Sequence, residues 1–227
     1  LLAPERFAGW FVPFTSYGAP PIYTQTSLLA LALAQLGTVF LAGAASTVVA
    51  VALGILVTRP AGAEYLPLSR TLVNIGQTFP PVAVLAIAVP LVGFGEIPTL
   101  IALFLYGLLP IFENTISGLK ASPPAVLEAA DGVGMGGGRR LLAVELPLAM
   151  PLIIEGIRVS LLINMGTATI GSTVAAKGLG EVIIAGLLSN NTAFILQGAL
   201  VTALLAMLLY DALTAVERRV LRAAHLG

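Results

Sequence analysis

The sequence predicts an all-α, polytopic membrane protein, and three observations carry that expectation. Hydrophobic residues fill 58% of the 227 positions and charged residues only 10%, where a soluble domain holds about 25% charge. Mean hydropathy is +1.00. Uncharged runs long enough to cross a hydrocarbon core, about 20 residues each, recur along the chain. So few charges cannot cover a water-exposed surface, and most side chains must face lipid or protein. Lys+Arg and Asp+Glu balance at 11 each, which leaves no basic excess for nucleic acid. With Cys at 0 and His at 1, disulfide frameworks, Cys/His zinc sites and a cysteine nucleophile drop out.

About five runs are candidate transmembrane helices. The first lies within Leu28–Val57, with Gln35 and Gly37 marking the start of its membrane part and Thr26–Ala34 a preceding interfacial helix. The second is Thr71–Val92, interrupted by Pro80, Pro81 and Pro90. Ile97–Leu119, Leu146–Val174 and Ala193–Val216 follow. Pro and Gly inside such runs are tolerated where neighbouring helices or water take up the freed backbone groups. With the N-terminus outside, Arg59, Arg70, Lys120, Arg139, Arg140, Arg218, Arg219 and Arg222 fall on the inner side. Arg158 sits about three turns into the fourth helix, and only Arg6 and Lys177 lie outside. The positive-inside rule therefore orients the chain N-out and C-in.

Residues 1–26 form an extracytoplasmic or interfacial segment, with Pro4, Pro13, Pro20 and Pro21 among Trp10, Phe11, Phe14, Tyr17 and Tyr23. It lacks the charged n-region and apolar h-region of a signal peptide. The missing initiator Met suggests trimming or upstream sequence. Residues 27–219 form the transmembrane domain, with an inner loop over 119–145, and 220–227 a cytoplasmic tail. No internal repeat supports an inverted-repeat transporter.

The inner loop reads LKASPPAVLEAADGVGMGGGRRLLAVELP. Ser122 is placed to cap a helix Pro123–Ala130, whose first turn tolerates two prolines. A glycine-rich turn, Gly132, Gly134 and Gly136 to Gly138, ends it. A second short helix, Arg139–Leu146, leads into Pro147. The small residues Ala129, Ala130 and Gly134 permit another backbone to approach closely.

These residues resemble the EAA signature of bacterial ABC importer permeases: Glu-Ala-Ala, three residues, Gly, nine residues, Ile, any residue, Leu-Pro. Here Glu128-Ala129-Ala130, Gly134 and Val144-Glu145-Leu146-Pro147 keep both spacings, with Val in place of Ile. The resemblance implies the type I ABC importer permease fold. It makes the short helix a coupling element, with Glu128, Ala129, Ala130, Gly134, Arg139 and Arg140 facing a cytoplasmic ATPase. Further runs resemble the glycine betaine/carnitine/choline (osmoprotectant) permeases. They are Asn74–Pro80, Leu109-Pro110-Ile111 with Asn114-Thr115 and Gly118, Gly156-Ile157-Arg158, Gly166–Thr169 and Gly178-Leu179-Gly180. Glu113, Lys177 and Glu181 depart from that pattern, where Arg is common at the first and Gly at the second.

Polar residues within the spans divide by chemistry. Glu155 and Arg158, three apart, can pair on one helix face, and Glu113 on the third helix is opposite in sign to Arg158. These three form a brace between the third and fourth helices or an inner gate. Asp211 reads as an interfacial charge. Asn74, Gln77, Thr78, Asn114, Asn164, Thr167 and Thr169 are candidates for a translocation pathway, or else interhelical hydrogen-bond partners. Binding a quaternary ammonium tightly takes an aromatic cage, and Trp10, Tyr17, Tyr23 and Tyr65 lie outside the spans while Tyr106 and Tyr210 stand apart. In the resembled systems that cage belongs to an extracytoplasmic binding protein, which would dock near Ala175–Asn190. That segment reads alternatively as a re-entrant plug. No G-x-x-x-x-G-K-[ST] run is present. The chain is therefore expected to be no enzyme and to hold no cofactor or metal, with ATP and Mg on partner ATPase subunits. A second permease copy completes the assembly in the inner membrane. Alternative cargoes are methionine, a phosphonate, a sulfonate or ergothioneine. A different class, an ATP-independent channel or scaffold, lacks a reason for the EAA spacing.

Overall fold

The structure, a computed structural model, describes residues 4–16 and 18–225, with side chains through residue 219. Tyr17 and the Arg222 side chain lie outside the described residues. Among those described, every regular element is helical. The longer helices are α1 (Leu28–Thr58), α2 (Leu66–Thr78), α3 (Pro81–Val92), α4 (Glu96–Lys120), α5 (Pro124–Gly132), α6 (Leu146–Thr167), α7 (Gly180–Leu188) and α8 (Thr192–His225). Among the described residues four segments are long and apolar enough to cross a membrane: Leu28–Thr58, Glu96–Lys120, Gly137–Val174 and Thr192–Arg219. The pair Ala63–Thr78 and Pro81–Val92 makes a fifth if taken as one broken span.

Three expectations change. The interfacial helix predicted over Thr26–Ala34 is not separate from the first span, because α1 begins at Leu28 and runs unbroken through Gln35 and Gly37. The second run begins earlier, at Leu66, while its break falls at Phe79–Pro80 as expected, where two consecutive prolines remove N–H donors and push the preceding residue out of the helical region. The fifth helix extends well past Val216, to His225. By contrast α4 ends within a residue of its predicted bounds. Glu96 in its first turn and Lys120 in its last complement the helix dipole.

The chain divides into two compact units. The first comprises Leu1–Ala42, Phe79–Phe104 and Leu162–Leu209. Its main cluster joins Tyr23, Leu28, Leu31, Leu179, Val182 and Phe194, with the Tyr23 and Phe194 rings edge-on at 5.4 Å. Pro20 and Pro21 bring carbonyls into this unit, and side-chain amides take them: Asn191 Nδ2 donates to Pro20 O at 2.9 Å and Gln197 Nε2 to Pro21 O at 2.5 Å. Gln35 is buried. Its Nε2 donates to Met165 O at 3.0 Å and its Oε1 accepts from Leu179 N at 2.8 Å. The residue read as a membrane boundary is thus an interhelical tie. Replacing it by Leu strands a buried donor and a buried acceptor, each worth about 1–3 kcal/mol. Gln35→Leu is expected to lower the thermal midpoint in detergent by several degrees, and an unchanged midpoint would show that the tie contributes nothing.

The second unit comprises Gly43–Thr78, Leu105–Leu161 and Tyr210–Gly227. Leu119, Ala149 and Ile153 form a core with Val51, Ile55 and Ile157. The helices approach closely at Gly118, where an added Cβ would lie 2.9 Å from Ala149 O, and at Gly156, where it would lie 2.7 Å from Pro110 O. Pro110 sits inside α4 and deprives Tyr106 O of its helical donor. Gln77 Nε2 supplies the replacement at 3.1 Å.

Candidate functional site

The inner loop is built by three local devices. Pro123 occupies the N-cap of α5 with extended backbone, and its carbonyl accepts from Val126 N and Leu127 N. Ser122 therefore does not cap the helix; its Oγ is buried without a hydrogen-bond partner. At the other end Gly134 adopts φ +77°, the left-handed conformation that L side chains resist. Met135 N then closes back onto Ala130 O at 3.1 Å. The second short helix is not separate. Gly137–Arg140 passes through a π turn, Leu141–Glu145, straight into α6.

A charge clamp fixes this loop to its own unit. Arg140 Nη1 meets both carboxylate oxygens of Asp131 at 2.7 Å, and Arg140 Nε donates to Glu145 Oε1 at 3.0 Å. Arg59, just past the end of α1, reaches the same Glu145 at 3.1 and 2.5 Å. Glu145 is only 4% exposed. One buried carboxylate thus joins α5, the start of α6 and the end of α1. Sequence reasoning missed Arg59, Asp131 and Glu145. The available signal was an acid in the free position of the motif, flanked by apolar residues.

The clamp sorts the predicted coupling residues. Glu128 and Ala129 are exposed, as is Arg139. Ala130 is buried against its own chain, so it is a packing residue, contrary to its predicted place at a partner surface. Gly134 shapes the turn. Arg140 is committed to Asp131 and Glu145, and positions the loop. Beside Glu128 and Ala129 the helix leaves Val126 exposed, and Val133 reaches 75% exposure. Ala130 is the sole buried residue of α5, so nearly its whole surface is available to another molecule.

The predicted brace is rearranged. Arg158 does pair with Glu155, but its other partners are on α8: Glu217 at 2.7 Å, Thr214 at 3.3 Å and the face of Tyr210 at 5.3 Å. It ties α6 to α8. Glu113 does not reach it. α4 presents Glu113 to α2 instead, where Arg70 grips it through two bonds of 2.6 and 2.7 Å. The Tyr210 ring thus carries the Arg158 guanidinium over one face.

The pathway candidates also separate. Asn164 is buried and donates to Leu103 O at 3.1 Å, so it is an interhelical tie. Gln77 serves Tyr106 O, and Asn114 donates to Pro110 O within its own helix. Thr167 and Thr169 bond to carbonyls of their own turn. Asn74 and Thr78 stay exposed, one turn apart on α2. The Ala175–Asn190 segment packs within the first unit. Leu179 N is held by Gln35, while Lys177 is exposed.

Comparison with known proteins decides the family. Residues 50–222 match the family described as binding-protein-dependent transport system inner membrane component. The chain belongs to it. This permease is 40% identical over 195 residues to the osmoprotectant import permease protein OsmY of Salmonella typhimurium, covering 86% of this chain and 83% of that one. It is 38% identical over 180 residues to the glycine betaine/carnitine/choline transport system permease protein OpuCB of Bacillus subtilis, covering 77% and 83%. In fold it is similar to a chain of the inward-facing MetNI methionine ABC transporter, with TM-score 0.76, 22% identity, and 85% and 95% coverage. The permease is thus a multi-pass inner-membrane component with the ABC importer permease fold, and its family is not itself catalytic.

Proposed function

We propose that this permease conducts quaternary-ammonium osmoprotectants, the glycine betaine, choline and carnitine class, in an ATP-driven importer. The observation that carries this reading is the identity to OsmY and OpuCB across most of both chains. Cytoplasmic ATPase subunits hold ATP and Mg, so this chain needs no cofactor of its own. An extracytoplasmic binding protein delivers cargo to the outer side, where residues 1–26 and the 175–190 segment lie. A second permease copy completes the pathway within residues 27–219, and 220–227 end inside.

The α5 surface, with Glu128 and Ala129 beside Val126 and Val133, receives the ATPase. Arg139 adds an exposed cation to that surface, while Gly134 and Arg140 hold the helix in place. Closure of the ATPase on ATP moves α5, and the clamp passes that motion to α1 and α6. Of the pathway candidates, Asn74 and Thr78 are the exposed ones, although the Thr78 hydroxyl, like those of Thr167 and Thr169, donates to a carbonyl of its own turn.

Proteoliposomes containing permease, ATPase and binding protein should take up labelled glycine betaine only with ATP. Equal uptake without ATP would favour a channel. For the coupling surface, Glu128→Arg is expected to abolish ATPase retention in a detergent pull-down while the permease elutes unchanged. Full retention with ligand-stimulated hydrolysis intact would remove α5 from the coupling role.

A further inference from the structure

Among the described ion pairs of the second unit, every one but one has a member whose side chain is 27% exposed or less. Side-chain exposure is 5% for Glu145 and 14% for Arg158, whereas Arg70 and Glu113 retain 46% and 35%. A charged pair left this open on helices of a membrane domain cannot face acyl chains, and belongs beside water or a polar partner. Its surroundings agree. Arg70, Asn74 and Thr78 recur every fourth residue along α2 and all are exposed, so they form one polar stripe. The opposite side of α2 is buried through Ser69, Val73 and Gly76. Tyr106, half-buried, stands two helical turns before Glu113 on α4.

The geometry of the pair is itself a ligand-binding geometry. Arg70 uses Nε and Nη2 to hold the two oxygens of one carboxylate, the bidentate mode by which guanidinium recognises carboxylates in general. Being exposed, such a pair holds weakly and exchanges readily with a competing carboxylate. Its exchange would leave the Glu113 carboxylate free beside the newcomer. The site therefore offers one cation for a carboxylate and one anion for a positive centre, side by side.

We infer that Arg70 and Glu113 form a binding site for zwitterions on the inner side of the permease, self-closed by their ion pair and opened by cargo. The carboxylate of a betaine displaces Glu113 from Arg70, and its quaternary ammonium takes Glu113 as counter-ion. This rests on the osmoprotectant reading for its ligand class. It also assigns a role to a residue, Glu113, at which the chain departs from the resembled pattern.

The test is equilibrium binding of glycine betaine and of choline, which lacks the carboxylate, to purified permease in lipid nanodiscs. Arg70→Gln is expected to weaken glycine betaine about tenfold and leave choline within about twofold. Glu113→Gln is expected to weaken choline. Arg70→Lys, which keeps the charge without the fork, should retain part of the preference and serves if the Gln variant misfolds. Equal weakening of both ligands by Arg70→Gln would make the pair a brace, and so would no change at all. Absence of binding to the wild type overturns the site as well. ATP-dependent uptake separates the two readings: uptake without binding here sinks this site alone, and binding without uptake sinks the transport reading alone.

Discussion

Glu145→Gln is expected to lower the thermal midpoint of the purified permease by on the order of 10 °C and to reduce ligand-stimulated ATP hydrolysis in the assembled importer. Glutamine fills nearly the same volume, so packing survives and only charge is lost. Glu145 is the shared partner of Arg59 and Arg140. Without it Arg59 loses its carboxylate and Arg140 keeps only Asp131, beside a side chain that is itself 5% exposed. Breaking a buried pair from one side costs about 3–5 kcal/mol, whereas removing both members together is often close to neutral. The double variant Glu145→Gln with Arg59→Met should therefore recover part of the lost midpoint. Additive losses in that cycle would mean that the two residues act independently, and the clamp would be an incidental contact. If the midpoint falls while hydrolysis stays coupled to ligand, the clamp stabilises the loop without transmitting its motion.

Gly180→Ala is expected to reduce folded yield sharply and to lower the midpoint of what remains by a similar amount. A Cβ at this position would lie 1.9 Å from Thr169 O, 2.7 Å from Thr169 C and 2.8 Å from Ser172 Oγ. Two of these atoms are backbone, so no rotamer change relieves the clash. α7 must move away from the 3-10 turn Ala168–Val174, and overpacking of this kind costs about 1–3 kcal/mol or more. The displacement also disturbs Leu179 N, one residue earlier, which Gln35 holds. Gly132→Ala is the control. Gly132 closes α5 with nothing within 4 Å of its would-be Cβ, so alanine should be neutral or mildly stabilising there. Matching behaviour of the two variants would refute close packing as the reason for Gly180.

The glycines that carried the family resemblance now have causes. Gly178 lies 3.1 Å, measured from its would-be Cβ, from Gln35 Oε1, so Gly178-Leu179-Gly180 admits Gln35 on one side and Thr169 on the other. Gly156 and Gly118 let α4 and α6 approach at backbone distance. Gly134 is required for its φ, and its neighbours Gly136, Gly137 and Gly138 meet nothing within 4 Å. Spacing in the sequence marked these positions without saying which served space and which served conformation.

Composition and hydropathy by themselves determined that this chain is a helical membrane protein, because too few charges remain to cover a soluble surface. The bounds of α4 and the break near Pro80 followed from the same reading, since prolines, glycines and chain-end charges act locally. Glu128-Ala129-Ala130 with its spaced Gly and Leu-Pro determined the family. Partner choice among charges on different helices was decided only by tertiary structure. Glu113 had been matched with Arg158 on sign alone, yet Glu113 faces Arg70 and Arg158 faces Glu217 and Tyr210. Charge sign and helical period fix which face of a helix a residue occupies. They do not fix which neighbouring helix that face meets, and at hydrogen-bond range a different neighbour means a different partner. For the same reason Gln35 and Asn164 looked like pathway or boundary residues in one dimension and became buried ties in three.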